Sequence, residues 1–176
     1  MPCRPITDQF RFLAVGYKVL ASLVLDRLKA GGSESRLRST QFGFRPKRSA
    51  MDAIFLAQRL VENTWVSKYG KLSFIFLDWA KAFDRIAPSA MLTALTRFGV
   101  PTDFIQLIAN IYDHRTFATR DGDTVSDNKT QSSGIAQGCP LSPYLFIMVM
   151  SVLLYDVEQA VPEEFSNCRD IACADD

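Results

Sequence analysis

Lys71-Leu72-Ser73-Phe74-Ile75-Phe76-Leu77-Asp78 decides the fold class. Five large apolar residues in seven, following Gly70, predict a short strand buried on both faces, and a carboxylate closes it. Trp79 to Asp84 then reads as a turn, with Pro88 at the first turn of a following helix and Gly99 at its end. Upstream, Phe12 to Lys29 predicts a helix stopped by Gly31-Gly32. Ser49 can cap a helix from about Ala50, in which Ala53, Ile54, Ala57, Leu60 and Val61 recur at helical spacing. Downstream, Thr102 or Asp103 can cap a helix that runs to about Asp113. Arg115 to Arg120 and Lys129 to Ser133 suggest a hairpin. Gly134 to Pro143 is a loop, Tyr144 to Gln159 a buried helix, and Ile171 to Ala174 the start of a strand meeting Asp175-Asp176. Helices around a mixed sheet make an α+β chain of the split βαβ kind.

Composition narrows the function. The 176 residues are 48% apolar and 22% charged, which excludes a wholly disordered chain and suits one domain. Net charge is +1, so no global basic signal points to nucleic acid. The distribution is uneven: residues 27 to 48 hold seven cations against Glu34, and residues 150 to 176 hold seven acids against Arg169. Such a chain can hold a polyanion at one part and cations at the other, or simply carry two solvated faces. Four cysteines without a CxxC pair and a single histidine, His114, disfavour zinc and a disulfide framework. Lys18 interrupts the apolar run Leu13 to Leu25, which argues against secretion. The run Tyr144 to Tyr155 is too short to span a bilayer.

Some residues suit chemistry. A carboxylate ending a buried strand is costly unless it is paired or binds a cation. Asp78 and the pair Asp175-Asp176 both follow such patterns, and converging carboxylates suit Mg²⁺ or Mn²⁺; helix caps and surface turns are the plainer use. Asp84 can serve merely to bond local amides. Gln41-Phe42-Gly43-Phe44-Arg45-Pro46-Lys47-Arg48-Ser49 interleaves cations with aromatics, which fits a phosphate backbone and bases. Gly134 to Pro143 opens a helix with two glycines and can approach phosphate, or be a structural turn.

Taken together and in order, these segments resemble a reverse transcriptase of the non-LTR retrotransposon (LINE-like) kind, related to group II intron reverse transcriptases. The matching pieces are Arg4-Pro5-Ile6 with Tyr17 to Leu20, Gln41 to Ser49 with Asp52, Phe76 to Asp84, Gln137 to Pro143, and Ala174-Asp175-Asp176. The resemblance implies polymerase fingers (about 1–70) and palm (about 71–176, with some interleaving), the palm built on a split βαβ, ferredoxin-like sheet. It implies RNA-directed DNA synthesis, in which a DNA primer 3′-hydroxyl attacks a dNTP on an RNA template, assisted by two Mg²⁺ ions or Mn²⁺. By similarity Asp78, Asp175 and Asp176 are catalytic carboxylates, and they hold the metals with the Trp79 carbonyl. Phe83 takes the place of the ring that excludes a ribose 2′-hydroxyl. Lys18, Lys81, Ala82, Gln137 and Gly138 would meet the nucleotide, with Arg4 as a further contact. Arg45, Lys47, Arg48 and Ser49 would hold the template.

Two departures qualify that expectation. Cys173 stands where the family's metal-binding tetrad usually has an aromatic. The chain also stops at Asp176, before the hairpin's second strand, the rest of the palm and the thumb. It therefore reads as a fragment, expected neither to polymerise nor to fold well alone, with Ile171 to Ala174 short of a strand partner. The alternative is a degenerate, non-catalytic remnant that binds RNA through basic fingers. Either way the expectation is an intracellular protein, nuclear or cytoplasmic, with no membrane partner.

Overall fold

The computed structural model describes residues 15–113, 115–118, 120–121, 123–131, 133–136, 138–162 and 170–173. Helix α1, Val15–Ala30, buries Ala21, Val24 and Leu28, which share one face. It ends where Gly31 N–H bonds to the Arg27 carbonyl at 2.9 Å and Gly32 turns left-handed (φ 81°) into the single turn α2, Ser33–Arg36. Buried Ser33 joins both ends of the fold: its hydroxyl donates to Leu28 O at 2.7 Å and lies 2.6 Å from Tyr144 Oη.

Helix α3, Ala50–Val66, starts where expected. Ser49 and Asp52 form a reciprocal capping box that satisfies two otherwise orphan N–H donors. Its outer face is apolar: Met51, Phe55, Trp65 and Val66 are all well exposed.

The next segment departs from expectation. Lys71 to Asp78 joins no sheet, and Ile75 and Phe76 are 85% and 90% exposed. An apolar run specifies that a segment favours burial. It does not supply the neighbouring edge whose N–H and C=O groups a strand requires. The ladders among the described residues pair elsewhere. Strand β1, Thr116–Phe117, runs antiparallel to β4, Lys129–Thr130; β2, Arg120–Asp121, runs antiparallel to β3, Thr124–Val125. The expected hairpin is thus present as two short ladders, and a split βαβ sheet is not formed among the described residues.

Helix α4, Ala82–Arg85, is one turn. Helix α5, Pro88–Phe98, has Pro at its first turn and a left-handed Gly99 (φ 90°) at its end, as the sequence predicts. Helix α6, Thr102–Tyr112, differs at its start: Pro101 occupies the capping position, and neither Thr102 nor Asp103 caps with its side chain. Proline's preset φ enters the helix without needing a side-chain acceptor. Helix α7, Ser142–Ala160, packs against α5. Met91, Leu95, Ile108, Ile135, Leu141, Leu145, Ile147 and Met148 form the fully buried centre.

Finally, Ala172 makes a parallel bridge to Gln41. Phe42 N–H donates to Ala172 O at 2.8 Å, and Ala172 N–H donates to Thr40 O at 3.0 Å. This isolated bridge ties residues 171–173 to the start of the Gln41–Ser49 stretch. No helix among the described residues is long and apolar enough to cross a membrane.

Candidate active site

Three stretches that are far apart in sequence meet at one ring. Phe83, in α4, stacks on Phe146 of α7 with centroids 4.8 Å apart and planes at 22°. Phe44, from the basic loop, meets Phe83 edge-on at 6.3 Å and 83°. Both are favoured aromatic geometries, each adding about 0.5–1.5 kcal/mol beyond burial. The backbone beside the ring is fixed too: Ile135 N–H donates to Phe83 O at 2.7 Å and Gly134 N–H to Ile86 O at 2.9 Å. Gly134 has φ +91°, and a Cβ there would lie 3.0 Å from Asp84 Cα. Both facts require glycine, so the 134–143 loop can lie directly on α4.

The turn leading into α4 is held from inside. Lys81 adopts a left-handed conformation (φ 55°), and its carbonyl accepts the Asp84 and Arg85 N–H groups at 3.0 and 3.1 Å. Ala82 N–H donates to Trp79 O at 3.1 Å. One lone pair of that carbonyl and the Ala82 amide are therefore already engaged with each other. The Asp78 and Lys81 side chains are exposed. Asp78 and the Trp79 carbonyl are hard oxygen donors, but two donors, one already hydrogen-bonded to Ala82 N–H, do not make up a coordination shell. No group of three His, Cys, Asp or Glu residues suited to a metal exists among the described residues. Asp175, Asp176, Gln137 and Arg4 lie outside the described residues.

On the other side of the 134–143 loop, Tyr17 Oη donates to Cys139 Sγ at 3.4 Å, and Tyr112 Oη lies 3.1 Å from Ser142 Oγ. Burial, followed by the bond to Cys139, pushes the Tyr17 hydroxyl far above its usual range; burial pushes Tyr112 up as well. Both remain neutral hydrogen-bonding groups that anchor the loop. Lys18, next to Tyr17, is exposed, and Gly138 is an exposed left-handed turn residue (φ 77°).

The basic loop is less free than its sequence suggests. Arg45 Nη1 donates to Arg38 O at 2.8 Å and Nη2 to Glu34 O at 3.3 Å, and its side chain is only 13% exposed. Arg48 Nη1 bonds Ser39 O, and its guanidinium lies 5.2 Å from the Phe42 ring centroid. Lys47 is exposed in a left-handed conformation (φ 60°), and Ser49 is engaged as a cap. Two of the three cations therefore shape the loop. Reading the sequence did not single out Phe44 and Phe146 as partners of Phe83, although the aromatic clustering of Gln41–Ser49 was a visible signal for the first.

The family model described as reverse transcriptase (RNA-dependent DNA polymerase) matches residues 4–176. The chain is similar to the retrovirus-related Pol polyprotein from type-2 retrotransposable element R2DM of Drosophila melanogaster, 27% identical over 135 residues, 76% of this chain and 13% of that protein. It is similar also to the transposon TX1 uncharacterized 149 kDa protein of Xenopus laevis, 26% identical over 152 residues, 86% of this chain and 11% of that protein. The chain thus spans only a small part of the length of these relatives.

Proposed function

The chain belongs to the reverse transcriptase (RNA-dependent DNA polymerase) family, and from that premise we propose that it carries fingers and palm elements of an RNA-directed DNA polymerase of a retroelement. The observation that supports this most is the meeting of Phe44, Phe83 and Phe146, which unites three separated segments around one half-buried ring. Phe83 is the gate: a ring in contact with two other rings is not free to swing away from a sugar, so its bulk discriminates against a 2′-hydroxyl. Lys18 and Lys81 supply exposed positive charge toward a triphosphate, with Ala82, Gln137 and Gly138 lining the nucleotide's place. Lys47 is the cation best disposed to meet template phosphate; Arg45, Arg48 and Ser49 hold the loop that presents it.

Asp78, the Trp79 carbonyl, Asp175 and Asp176 hold divalent metal, Mg²⁺ or Mn²⁺. When bound, two such ions activate a primer hydroxyl and stabilise the leaving oxygen. This reading takes Lys71 to Asp78, which joins no sheet in this structure, and the segment ending at Asp175 as neighbouring strands of a palm sheet. The apolar composition of Leu72 to Leu77 supports that, since it suits burial on both faces. RNA binding through basic fingers alone is the weaker reading, because Arg45 and Arg48 are directed at the protein's own carbonyls.

The test is a stalled ternary complex. A DNA primer ending in a dideoxynucleotide is annealed to RNA, and binding of this chain is followed by fluorescence anisotropy with the next dNTP and Mg²⁺. Tightening by the matched dNTP, dependent on Mg²⁺ and lost in Asp78→Asn, is expected. Indifference to dNTP identity and to metal would refute the polymerase reading.

A further inference from the structure

The basic loop does not account for all seven cations of residues 27 to 48. Lys29 Nζ lies 5.4 Å from the centroid of the Tyr144 ring. Arg38 pairs with Asp170 at 2.7 Å and with Glu158 at 2.9 Å. Arg45 and Arg48 donate to the protein's own carbonyls, and Lys47 is the template cation of the reading above. Arg27 and Arg36 are left. Both are exposed, and neither forms an ion pair with a carboxylate among the described residues. Glu34, the one acid of the stretch, faces Arg45 instead at 3.7 Å. Arg27, from the last turn of α1, and Arg36, from the end of α2, line one cleft of about 90 Å³. Buried Leu28 and Val100 and half-buried Phe98 and Phe104 line it as well, and no acidic residue is among the described residues that do. Arg36 Nη1 donates to Gly99 O at 2.7 Å, which leaves Nε and Nη2 unused. A Cβ on Gly99 would lie 2.7 Å from that same Nη1, so glycine is what lets the guanidinium reach the carbonyl.

We propose that this cleft binds a phosphodiester group of a nucleic-acid strand, with Arg27 and Arg36 on the phosphate and Phe98 and Phe104 against the adjoining nucleoside. Two guanidinium groups that share one cleft without a carboxylate make a local field that attracts an anion. Each presents its N–H groups as a planar fork that matches phosphate oxygens. The apolar walls keep water away, and charge attraction strengthens as the effective dielectric falls. Size decides what carries the phosphate. Clefts that enclose a whole small molecule hold about 300–1,000 Å³. A volume of about 90 Å³ admits one group of a larger molecule that passes over it. Position separates the cleft from the candidate active site. Helix α1 begins beside the 134–143 loop, where Tyr17 meets Cys139, and α5 begins just after Ile86, where Gly134 docks. The cleft lies at the other end of both helices. At about 1.5 Å per residue, the 11 residues of α5 set it about 16 Å away. It is therefore a second hold on a strand, outside the nucleotide's place. The phosphate chemistry follows from the two arginines; that the phosphate belongs to nucleic acid rests on the polymerase reading.

The experiment is arginine footprinting of the full chain. Phenylglyoxal modification is read by mass spectrometry with and without a single-stranded oligouridylate, whose binding is followed in parallel by fluorescence anisotropy. Saturating RNA should remove most of the reactivity of Arg27 and Arg36 and leave Arg59, on α3, unchanged. Uridine monophosphate and inorganic phosphate, at the same phosphate concentration, should protect neither. Arg27→Gln with Arg36→Gln should weaken RNA binding about tenfold and lower the slope of log K against log salt by about 1.4, at about 0.7 for each phosphate contact. Arg59→Gln with Lys68→Gln removes the same charge from residues engaged with Glu62 and the Tyr69 ring, and should change affinity by less than about twofold. Footprinting needs no substitution, so it decides even where a variant fails to fold. Protection by the mononucleotide equal to that by RNA would assign the cleft to a free nucleotide and overturn the strand as carrier. RNA that binds without protecting Arg27 and Arg36, or that binds their double variant as tightly as the unaltered chain, overturns the site and leaves the polymerase reading standing. RNA that does not bind at all overturns that reading, and this inference with it.

Discussion

Replacing Gly134 by alanine perturbs the closest backbone approach at the candidate site. Its φ of +91° is unfavourable for an L side chain, about 1–2 kcal/mol by itself. The added Cβ would stand 3.0 Å from Asp84 Cα and 3.1 Å from Asp84 O. Those neighbours are backbone and cannot rotate aside, so the 134–143 loop must lift from α4. Lifting strains the Gly134 to Ile86 and Ile135 to Phe83 hydrogen bonds, each worth about 1 kcal/mol net. The sum is about 3 kcal/mol, a large part of the roughly 5–15 kcal/mol that holds a domain. With a urea slope of about 2 kcal/mol per molar, the unfolding midpoint should fall by about 1.5 M. Gly32→Ala is the matched control: φ is +81°, but nothing lies within 4 Å of the added carbon. It should lose only the backbone contribution, about 0.5 M in midpoint. Equal losses from the two substitutions would show that the approach of the loop to α4 carries no energy, and the reasoning would fail.

Three further outcomes are expected. Ser49→Ala removes the acceptor of the capping box and should cost about 1 kcal/mol in urea unfolding followed by helical circular dichroism, and an unchanged midpoint would deny the cap a role. Phe83→Ala should bring binding of a matched ribonucleotide in the stalled ternary complex close to that of the deoxynucleotide; undiminished sugar discrimination would reduce Phe83 to a packing residue. Asp170 has a lowered folded-state pKa, so its contribution is present above the ordinary carboxylate value and is lost as pH falls through the folded value. Protection of the Phe42 and Ala172 amides, corrected for intrinsic exchange, should therefore hold from pH 7 to about 5 and decline below about pH 4, a dependence that Asp170→Asn should abolish.

What was legible in the sequence was local. Ser49 announces a cap because its hydroxyl serves an amide three residues on, and Asp52 answers it within the same turn. Pro88 and Gly99 delimit α5 through their own φ preferences. The apolar run in α7 finds its burial in a helix, which satisfies its own backbone. Lys71 to Asp78 is the contrary case: a strand's hydrogen bonds belong to another segment, and the pattern of side chains does not say which. The cations of Gln41–Ser49 were visible as charge, but the carbonyls of Glu34, Arg38 and Ser39 that hold Arg45 and Arg48 are set by the path of the loop. The Arg38–Asp170 pair spans 132 positions and has no short-range signature at all. The three rings were legible individually, and the family resemblance singled out Phe83, yet only the fold brings Phe44 and Phe146 against it.

The distribution of backbone strain ties these observations together. Phe44, Lys47 and Lys81 are the non-glycine residues with positive φ among those described, at 54°, 60° and 55°. Each conformation costs about 1–2 kcal/mol, and all three fall in the two segments proposed to meet template and nucleotide. Lys81 shows what the strain accomplishes. Its left-handed turn lets Ala82 N–H close onto Trp79 O and starts α4 in a new direction, which carries Phe83 against both Phe44 and Phe146. A right-handed Lys81 would change the chain's direction at α4 and withdraw the ring. Phe44 also has a left-handed backbone, in a loop whose path Arg45 fixes against Glu34 and Arg38. Strain of this kind persists only where surrounding contacts over-determine it. Here those contacts are the ring stack, the Gly134 approach and the inward-facing arginines, so the same interactions that restrict the basic loop also hold the gate ring in place.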